Sequence, residues 1–262
     1  MISVVIRNRN QADYLERTLK ILTSIYLDDI GEIIVIDNKS TDNSIQVAEK
    51  YGCKVHTIDD FTYGKAINQG IEVAENPYIV LISSHVCPIG NMFFKNSIEF
   101  AVKHPDLAGI RYISSFKDLE RCVLDNNQII APIDYGLNAA CCLVSKKVWD
   151  KHKFNEQFIA SEDKEWSIRV CNDGFKIYTI NETYFYYLNR SKKSSINRFK
   201  IETIIYHQLR NTKYSSKVTI FLAFFKQIFI VNNINYFFYI FDEFRWFLAK
   251  LEINRKVNKL KK

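Results

Sequence analysis

The sequence predicts an α/β fold built on a mostly parallel sheet flanked by helices. Three observations carry that expectation. Short β-branched runs recur at residues 2–6, 33–36, 54–58 and 78–82. The stretches between them carry apolar residues at helical spacing. The links are short, so successive strands run parallel with helical crossovers.

The elements follow in order. Ile2-Ser3-Val4-Val5-Ile6 is a buried strand by composition, broken by Arg7-Asn8-Arg9-Asn10. From Gln11 to Ser24, Tyr14, Leu15, Leu19 and Leu22 predict a helix. Ile33-Ile34-Val35-Ile36 is the second strand, ended by Asp37-Asn38. Ser40-Thr41-Asp42-Asn43-Ser44 offers several N-caps for a helix to about Lys50. A third strand covers 54–58, a helix 64–74 and a fourth strand 78–82. Residues 91–104 predict a helix and 108–115 a strand. Residues 116–134 are polar and predict an irregular excursion. Asn138 to Val144 is a strand of small residues, which permits close approach of a backbone or ligand. A short helix follows at 146–151. The next helix opens on Glu162-Asp163 and ends near Asp173-Gly174, with Gly174 as its C-cap. Strands at 175–180 and 184–188 and a helix at 194–210 complete the run.

In open sheets of this kind, ligands bind beyond the carboxyl ends of the strands. Arg7 and Asn8, Asp37 and Asn38, and Ser83-Ser84-His85 all fall there, on one edge. They are the first site candidates. The acid pair Glu162-Asp163 is the second, against its alternative as a well-charged helix start.

A chain of 262 residues forms one large domain, or one domain with an appendage. The net charge of +7 favours anionic partners: nucleic acid, an acidic membrane surface or a phosphate-bearing substrate. The basic residues collect late in the chain, with no RNP-like or zinc pattern, which disfavours a nucleic-acid binder. The six cysteines show no C-x-x-C pair and no zinc-ligand spacing, as expected of reduced thiols in a cytosolic protein. Met1 leads straight into an apolar strand, so no cleaved signal peptide is expected. Residues 218–241 are rich in Phe and Tyr but interrupted by Lys226, Gln227, Asn232, Asn233 and Asn235. This is not a clean transmembrane span. With Arg245, Lys250, Arg255, Lys256, Lys259, Lys261 and Lys262 behind it, the segment predicts either an anionic membrane surface or a helical cap on protein, including a homo-oligomer contact. The expected division is 1–214 and 215–262.

Four motifs in order carry a resemblance. Ser3 to Asn10, then Glu32-Ile33-Ile34-Val35-Ile36-Asp37-Asn38-Lys39-Ser40-Thr41-Asp42, resembles the opening of family 2 glycosyltransferases with the GT-A fold. Gly64-Lys65-Ala66-Ile67-Asn68-Gln69-Gly70 resembles the G-x-A-x-N-x-G segment that follows there. Asn138-Ala139-Ala140 and Phe154-Asn155-Glu156 through Glu162-Asp163-Lys164-Glu165-Trp166 resemble the acceptor-side half. The resemblance spans roughly residues 1–200. Ser83-Ser84-His85 is similar to a rhamnosyltransferase-like branch in which S-x-H replaces D-x-D.

The resemblance implies an inverting transfer of a sugar from a nucleotide diphosphate, of UDP or dTDP type, to an acceptor hydroxyl. It implies Asp163 as general base, with Glu162 orienting it or the acceptor. It implies nucleotide contacts from Arg7, Asn8, Asp37, Lys65, Asn68 and Ser84, with Asp37 accepting the N3–H of a pyrimidine. Lys65 and Asn68 equally suit capping or solvating their helix. Asn138 and Trp166 are the acceptor or sugar contacts, Trp166 having simple core packing as its alternative. Mn2+ or Mg2+ is the family's cofactor, but without D-x-D only His85 remains as a metal ligand, so metal dependence stays open. Arg190, Lys192, Lys193 or Arg198 are then candidates to neutralise the leaving phosphate. The implied setting is bacterial cell-surface polysaccharide synthesis (capsule, O-antigen or lipooligosaccharide). The protein is then cytoplasmic, peripheral on the inner membrane face, with a glycan or lipid-linked acceptor. The competing expectation is an inactive sugar-nucleotide or glycan-binding module.

Overall fold

The structure is a computed structural model and describes residues 1–260, with side chains to residue 253. Lys261 and Lys262, and the side chains of Arg255, Lys256 and Lys259, lie outside the described residues. The chain divides into two compact units, Met1–Asn211 and Thr212–Lys262.

The first unit holds one eight-stranded sheet. Its strands are β1 (Ile2–Asn8), β2 (Ile30–Asp37), β3 (Lys54–Thr57), β4 (Tyr78–Ser83), β5 (Val86–Pro88), β6 (Leu107–Ile113), β7 (Cys141–Ser145) and β8 (Lys176–Tyr186), in the order β3-β2-β1-β4-β7-β6-β8-β5. The helices are α1 (Ala12–Ile25), α2 (Ser44–Lys50), α3 (Tyr63–Glu72), α4 (Phe93–Lys103), α5 (Phe116–Leu124), α6 (Pro132–Tyr135), α7 (Lys146–Lys151), α8 (Glu162–Asn172) and α9 (Lys192–Arg210).

Period-two alternation sorts the core into two layers. In β1, Ile2, Val4 and Ile6 face one layer with Leu15, Leu19 and Leu22 of α1. Val5 faces the other, with Ile34, Ile36, Ala66, Ile67 and Ile71. Trp166 and Val170 of α8 close that second layer. Each fully buried aliphatic side chain of this kind contributes about 1.5–3 kcal/mol.

Strands β1 to β4 are parallel, as the crossover rhythm predicts. Strand β7 is not: it runs antiparallel between β4 and β6. It therefore starts at the edge where β1 and β4 end, and this brings residues 138–140 to the strand-end edge. Two expectations need correction. Residues 116–134 are not irregular throughout, since Ser115 caps α5 by accepting from the Asp118 N–H. The two strands expected at 175–180 and 184–188 are the single long β8.

The second unit is helical: α10 (Lys217–Lys226), a π-helical turn (Gln227–Val231) and α11 (Asn232–Leu260). Ser216 caps α10 by accepting from the Thr219 N–H. Lys217–Ile253 is one helix long and apolar enough to cross a membrane by length and composition. The polar interruptions do not break it, because Asn232 and Asn233 bond within the helix, to Gln227 and to the Ile228 and Phe229 carbonyls.

Candidate active site

A cavity of about 550 Å³ opens at the strand-end edge, a volume that suits a small ligand. Register builds its floor. Arg7 lies opposite Ser83, and Ile82 opposite Cys141. The Arg7 guanidinium donates to the Ala139 carbonyl and to Ser83 Oγ at 3.5 Å. It lies 3.6 Å from Glu162 Oε1 and 5.5 Å above the Tyr63 ring. Arg7 Nε is buried without a partner.

The acid pair forms the opposite wall. Ser161 adopts a left-handed φ of +57°, unusual for a non-glycine residue, and this turns α8 so that its N-terminus meets the cavity. Gly136 helps seat this wall. A Cβ there would lie 2.6 Å from Ser167 Cβ, so only glycine lets the 132–138 segment close onto α8. The Leu137 N–H then donates to Ser167 Oγ at 2.8 Å.

Glu162 and Asp163 have different environments. Glu162 is buried beside Arg7. Burial, then the charge of Asp163, push its carboxyl up to about 7 against the opposing pull of Arg7. Asp163 is half-buried and lines the cavity. Its Oδ2 accepts from the Ala139 N–H at 2.8 Å and its Oδ1 from the Lys164 N–H at 2.9 Å. Two backbone bonds fix the carboxylate and leave further lone pairs open to an acceptor hydroxyl.

After β4 the chain alternates. Ser83 and His85 line the cavity. Ser84 turns away and donates to Gln11 Oε1 at 2.6 Å, so it is not a cavity contact. His85 Nδ1 donates to the same Gln11 oxygen at 2.8 Å. That fixes the tautomer and leaves Nε2 as a lone pair, buried and without a partner. Burial first, then the charges of Arg190, Arg7 and Arg198, push His85 down to about 4, so the ring is neutral at pH 7.

Asn8 and Asp37 meet at the ends of β1 and β2. Asp37 is fully buried, its Oδ1 accepting from Asn8 Nδ2 and Ser40 Oγ and its Oδ2 from the Ser40 N–H. The free acceptor here is Asn8 Oδ1, buried and unpartnered. Asn138 lines the cavity while donating to the Tyr184 hydroxyl at 2.9 Å.

Like Ser84, Asn8 and Asp37 are not among the residues that line the cavity, and three further expected contacts lie elsewhere. Asn68 is saturated: Nδ2 donates to the Phe154 carbonyl and Glu156 Oε1, and Oδ1 accepts from Trp149 Nε1 and the Phe154 N–H. It staples α3 to the loop after α7 and does not face the cavity. Trp166 is fully buried, stacked on Phe154 with ring centroids 5.0 Å apart, and donates to the His152 carbonyl. It is core, not a sugar wall. Lys65 lines a separate hollow, 3.8 Å from Asp60.

Tyr63, Arg111 and Tyr186 line the cavity without having been foreseen. A pairing of Tyr63 with Arg7 leaves no trace in spacing. Arg111 in β6 carried the only detectable signal, a cation inside an otherwise apolar strand. Arg190 and Arg198, which were foreseen, are both in the wall.

The residues do not fit a divalent cation. The D-x-D position supplies one imidazole nitrogen, with guanidinium charges around it. No group of three or more His, Cys, Asp or Glu among the described residues could hold a metal ion.

The fold and site define a GT-A nucleotide-sugar transferase, and comparison with known proteins gives the family. The family model "Glycosyl transferase family 2" matches residues 3–140, and the chain belongs to that family. A relative in Methanococcus voltae is 24% identical over 241 residues, covering 78% of this chain and 71% of its own. It is a dolichyl N-acetyl-alpha-D-glucosaminyl phosphate 3-beta-D-2,3-diacetamido-2,3-dideoxy-beta-D-glucuronosyltransferase. S. aureus TarS 1-349 in complex with UDP-GlcNAc matches with a TM-score of 0.61 at 16% identity, over 82% of this chain and 68% of that one. The Pyrobaculum calidifontis mannosyltransferase PcManGT, in complex with GDP-Man and Mn2+, matches with a TM-score of 0.59 at 13% identity. That match covers 69% of this chain, which spans about half (54%) of the mannosyltransferase. The protein is a glycosyltransferase.

Proposed function

We propose that the protein inverts configuration as it moves a sugar from a nucleoside diphosphate, of UDP or dTDP type, to a hydroxyl of a glycan or lipid-linked acceptor. The observation that carries this is Asp163, fixed by two backbone N–H groups with its carboxylate in the cavity wall. The acceptor oxygen attacks the anomeric carbon. Its proton goes to Asp163, and the bond to the phosphate oxygen breaks with its electron pair on the leaving diphosphate. Glu162 and Arg7 orient this wall and tune its charge. Asn8 Oδ1, held by Asp37, is the open acceptor at the base end.

Two features support a lipid-linked acceptor. The Methanococcus voltae relative is named for a dolichyl phosphate substrate, and the second unit is an apolar helix with exposed aromatic side chains. The same features support a place at a membrane surface, and with it the reading of a role at the inner membrane face in surface polysaccharide assembly.

The test is nucleotide release from a panel of UDP-, dTDP-, GDP- and CMP-sugars, with product anomers assigned by NMR. Turnover of one diphosphate donor with inversion supports the proposal. Retention of configuration rules out Asp163 as the base of a single displacement. Binding of a sugar nucleotide with no turnover across a broad acceptor panel would favour the inactive binding module.

A further inference from the structure

The cavity holds more positive charge than its acids require, and the surplus lies where a metal would be expected. Four arginines line it: Arg7, Arg111, Arg190 and Arg198. Three have carboxylate partners. Arg7 lies 3.6 Å from Glu162, Arg111 lies 3.1 Å from Asp118, and Arg198 lies 2.6 Å from Glu202. Arg190 has none among the described residues. Its guanidinium donates to the Tyr186 hydroxyl and lies 5.9 Å from that ring.

Tyr186 ties this arginine to the end of β4. Its ring meets His85 edge-on, with centroids 4.8 Å apart. Arg190, Tyr186 and His85 thus form one continuous wall. Helix α9 begins two residues beyond Arg190. Its first turn carries Lys192 and Lys193 and no acid, and Ser194 from that turn lines the cavity. A helix N-terminus adds partial positive charge. Two buried atoms in the same cavity are without partners: Arg7 Nε, a donor, and His85 Nε2, an acceptor.

We propose that the donor's diphosphate is held by guanidinium groups, Arg190 foremost with Arg198 and Arg7, and that it leaves without a divalent cation. This inference rests on the transferase reading above. As the anomeric C–O bond breaks, its electron pair passes to the phosphate oxygen, and the guanidinium donors take up that charge by bidentate hydrogen bonds. His85 Nε2, held as an acceptor by Gln11, takes a hydroxyl of the donor's ribose or sugar. It carries no proton to give to a phosphate.

The test is calorimetric titration of the full chain with UDP, dTDP and GDP, first in EDTA and then with Mn2+. We expect a diphosphate to bind in EDTA with an affinity within twofold of that in Mn2+. Arg190→Ala then weakens binding about 10- to 100-fold, the worth of one or two charge-assisted hydrogen bonds. Arg190→Lys restores only part of it, because a point charge cannot bond bidentately. Tyr186→Phe, which frees Arg190 without removing it, changes binding by far less than Arg190→Ala. Binding that appears only with Mn2+ would overturn the inference and leave the transferase reading standing. Binding unaffected by Arg190→Ala would also overturn it. No diphosphate binding in either condition would remove both.

Discussion

Two clusters in this molecule come from equally short sequence motifs, yet they differ in their open valences. The Asn68 cluster, with Trp149, Phe154 and Trp166, is closed. Every hydrogen-bonding position of the Asn68 amide is used, and both indoles donate to partners. The cluster at the α8 N-terminus is open. Among the described residues, Arg7 Nε and His85 Nε2 are buried without partners and Arg190 has no carboxylate partner, while Glu162 carries a raised pKa. Both are polar islands in a hydrophobic setting. A closed network fixes the backbone, whereas open valences are tolerated where a ligand completes them.

The largest effect that tests this contrast is on stability. Asn68→Ala leaves two donors and two acceptors without their buried partner, so we expect a loss of about 2–5 kcal/mol in urea unfolding. Turnover per folded molecule should stay within about threefold, as for a residue outside the chemistry. A specific activity near zero in folded Asn68→Ala protein would erase the distinction between the two clusters.

The next effect is on pH dependence. Glu162 has a folded pKa near 7, above its ordinary value. Below pH 7 it holds a proton, which leaves Arg7 uncompensated in the cavity wall, so kcat/KM should rise with pH through about 7. Stability moves the other way. The unfolded carboxyl ionises near 4.5 while the folded one does not, so this group's contribution falls as pH rises from 4.5 to 7. Glu162→Gln should flatten the rate step and raise the Tm at pH 7.5. A rate step unchanged in Glu162→Gln would assign it to another group.

The smallest effect is at Lys65. It is partly buried, with a long contact to Asp60, and solvent-facing pairs of this kind contribute about 0–1 kcal/mol. Lys65→Ala should change unfolding stability by less than about 1 kcal/mol and donor KM by less than about twofold. A tenfold rise in KM would return Lys65 to the site.

Much of the fold was legible because periodicity reports burial directly. Strands β1, β2 and β4 and helix α1 read clearly, since each alternates or repeats against a packed layer. Strand direction leaves no such signal: Cys141 to Ser145 is apolar whichever way it runs, so antiparallel β7 was invisible. Helix α5 was hidden because its buried positions include Asp118, held near 2. There burial, which raises the pKa, is outweighed by hydrogen bonds from Ser114 and the charge of Arg111. Of the residues that line the cavity, Arg7, His85, Glu162 and Asp163 were legible from strand-end position and the acid pair. For Trp166 and Asn68 the sequence left a ligand contact and a structural role both open, because a motif gives identity but not which side of a helix faces the ligand; in the structure both lie away from the cavity. Tyr186 was missed because its importance lies in what it touches, His85 and Arg190, rather than in any local pattern.

The open cluster is where chemistry is expected, with Asp163 as the proposed base. The most direct measurement is kcat for Asp163→Asn against wild type with the donor found to turn over, each normalised to folded protein. The isosteric amide keeps an oxygen for the Ala139 N–H but cannot take a proton. We expect kcat to fall by about 10²- to 10⁴-fold with diphosphate binding retained. Turnover within a few-fold of wild type would place the base elsewhere.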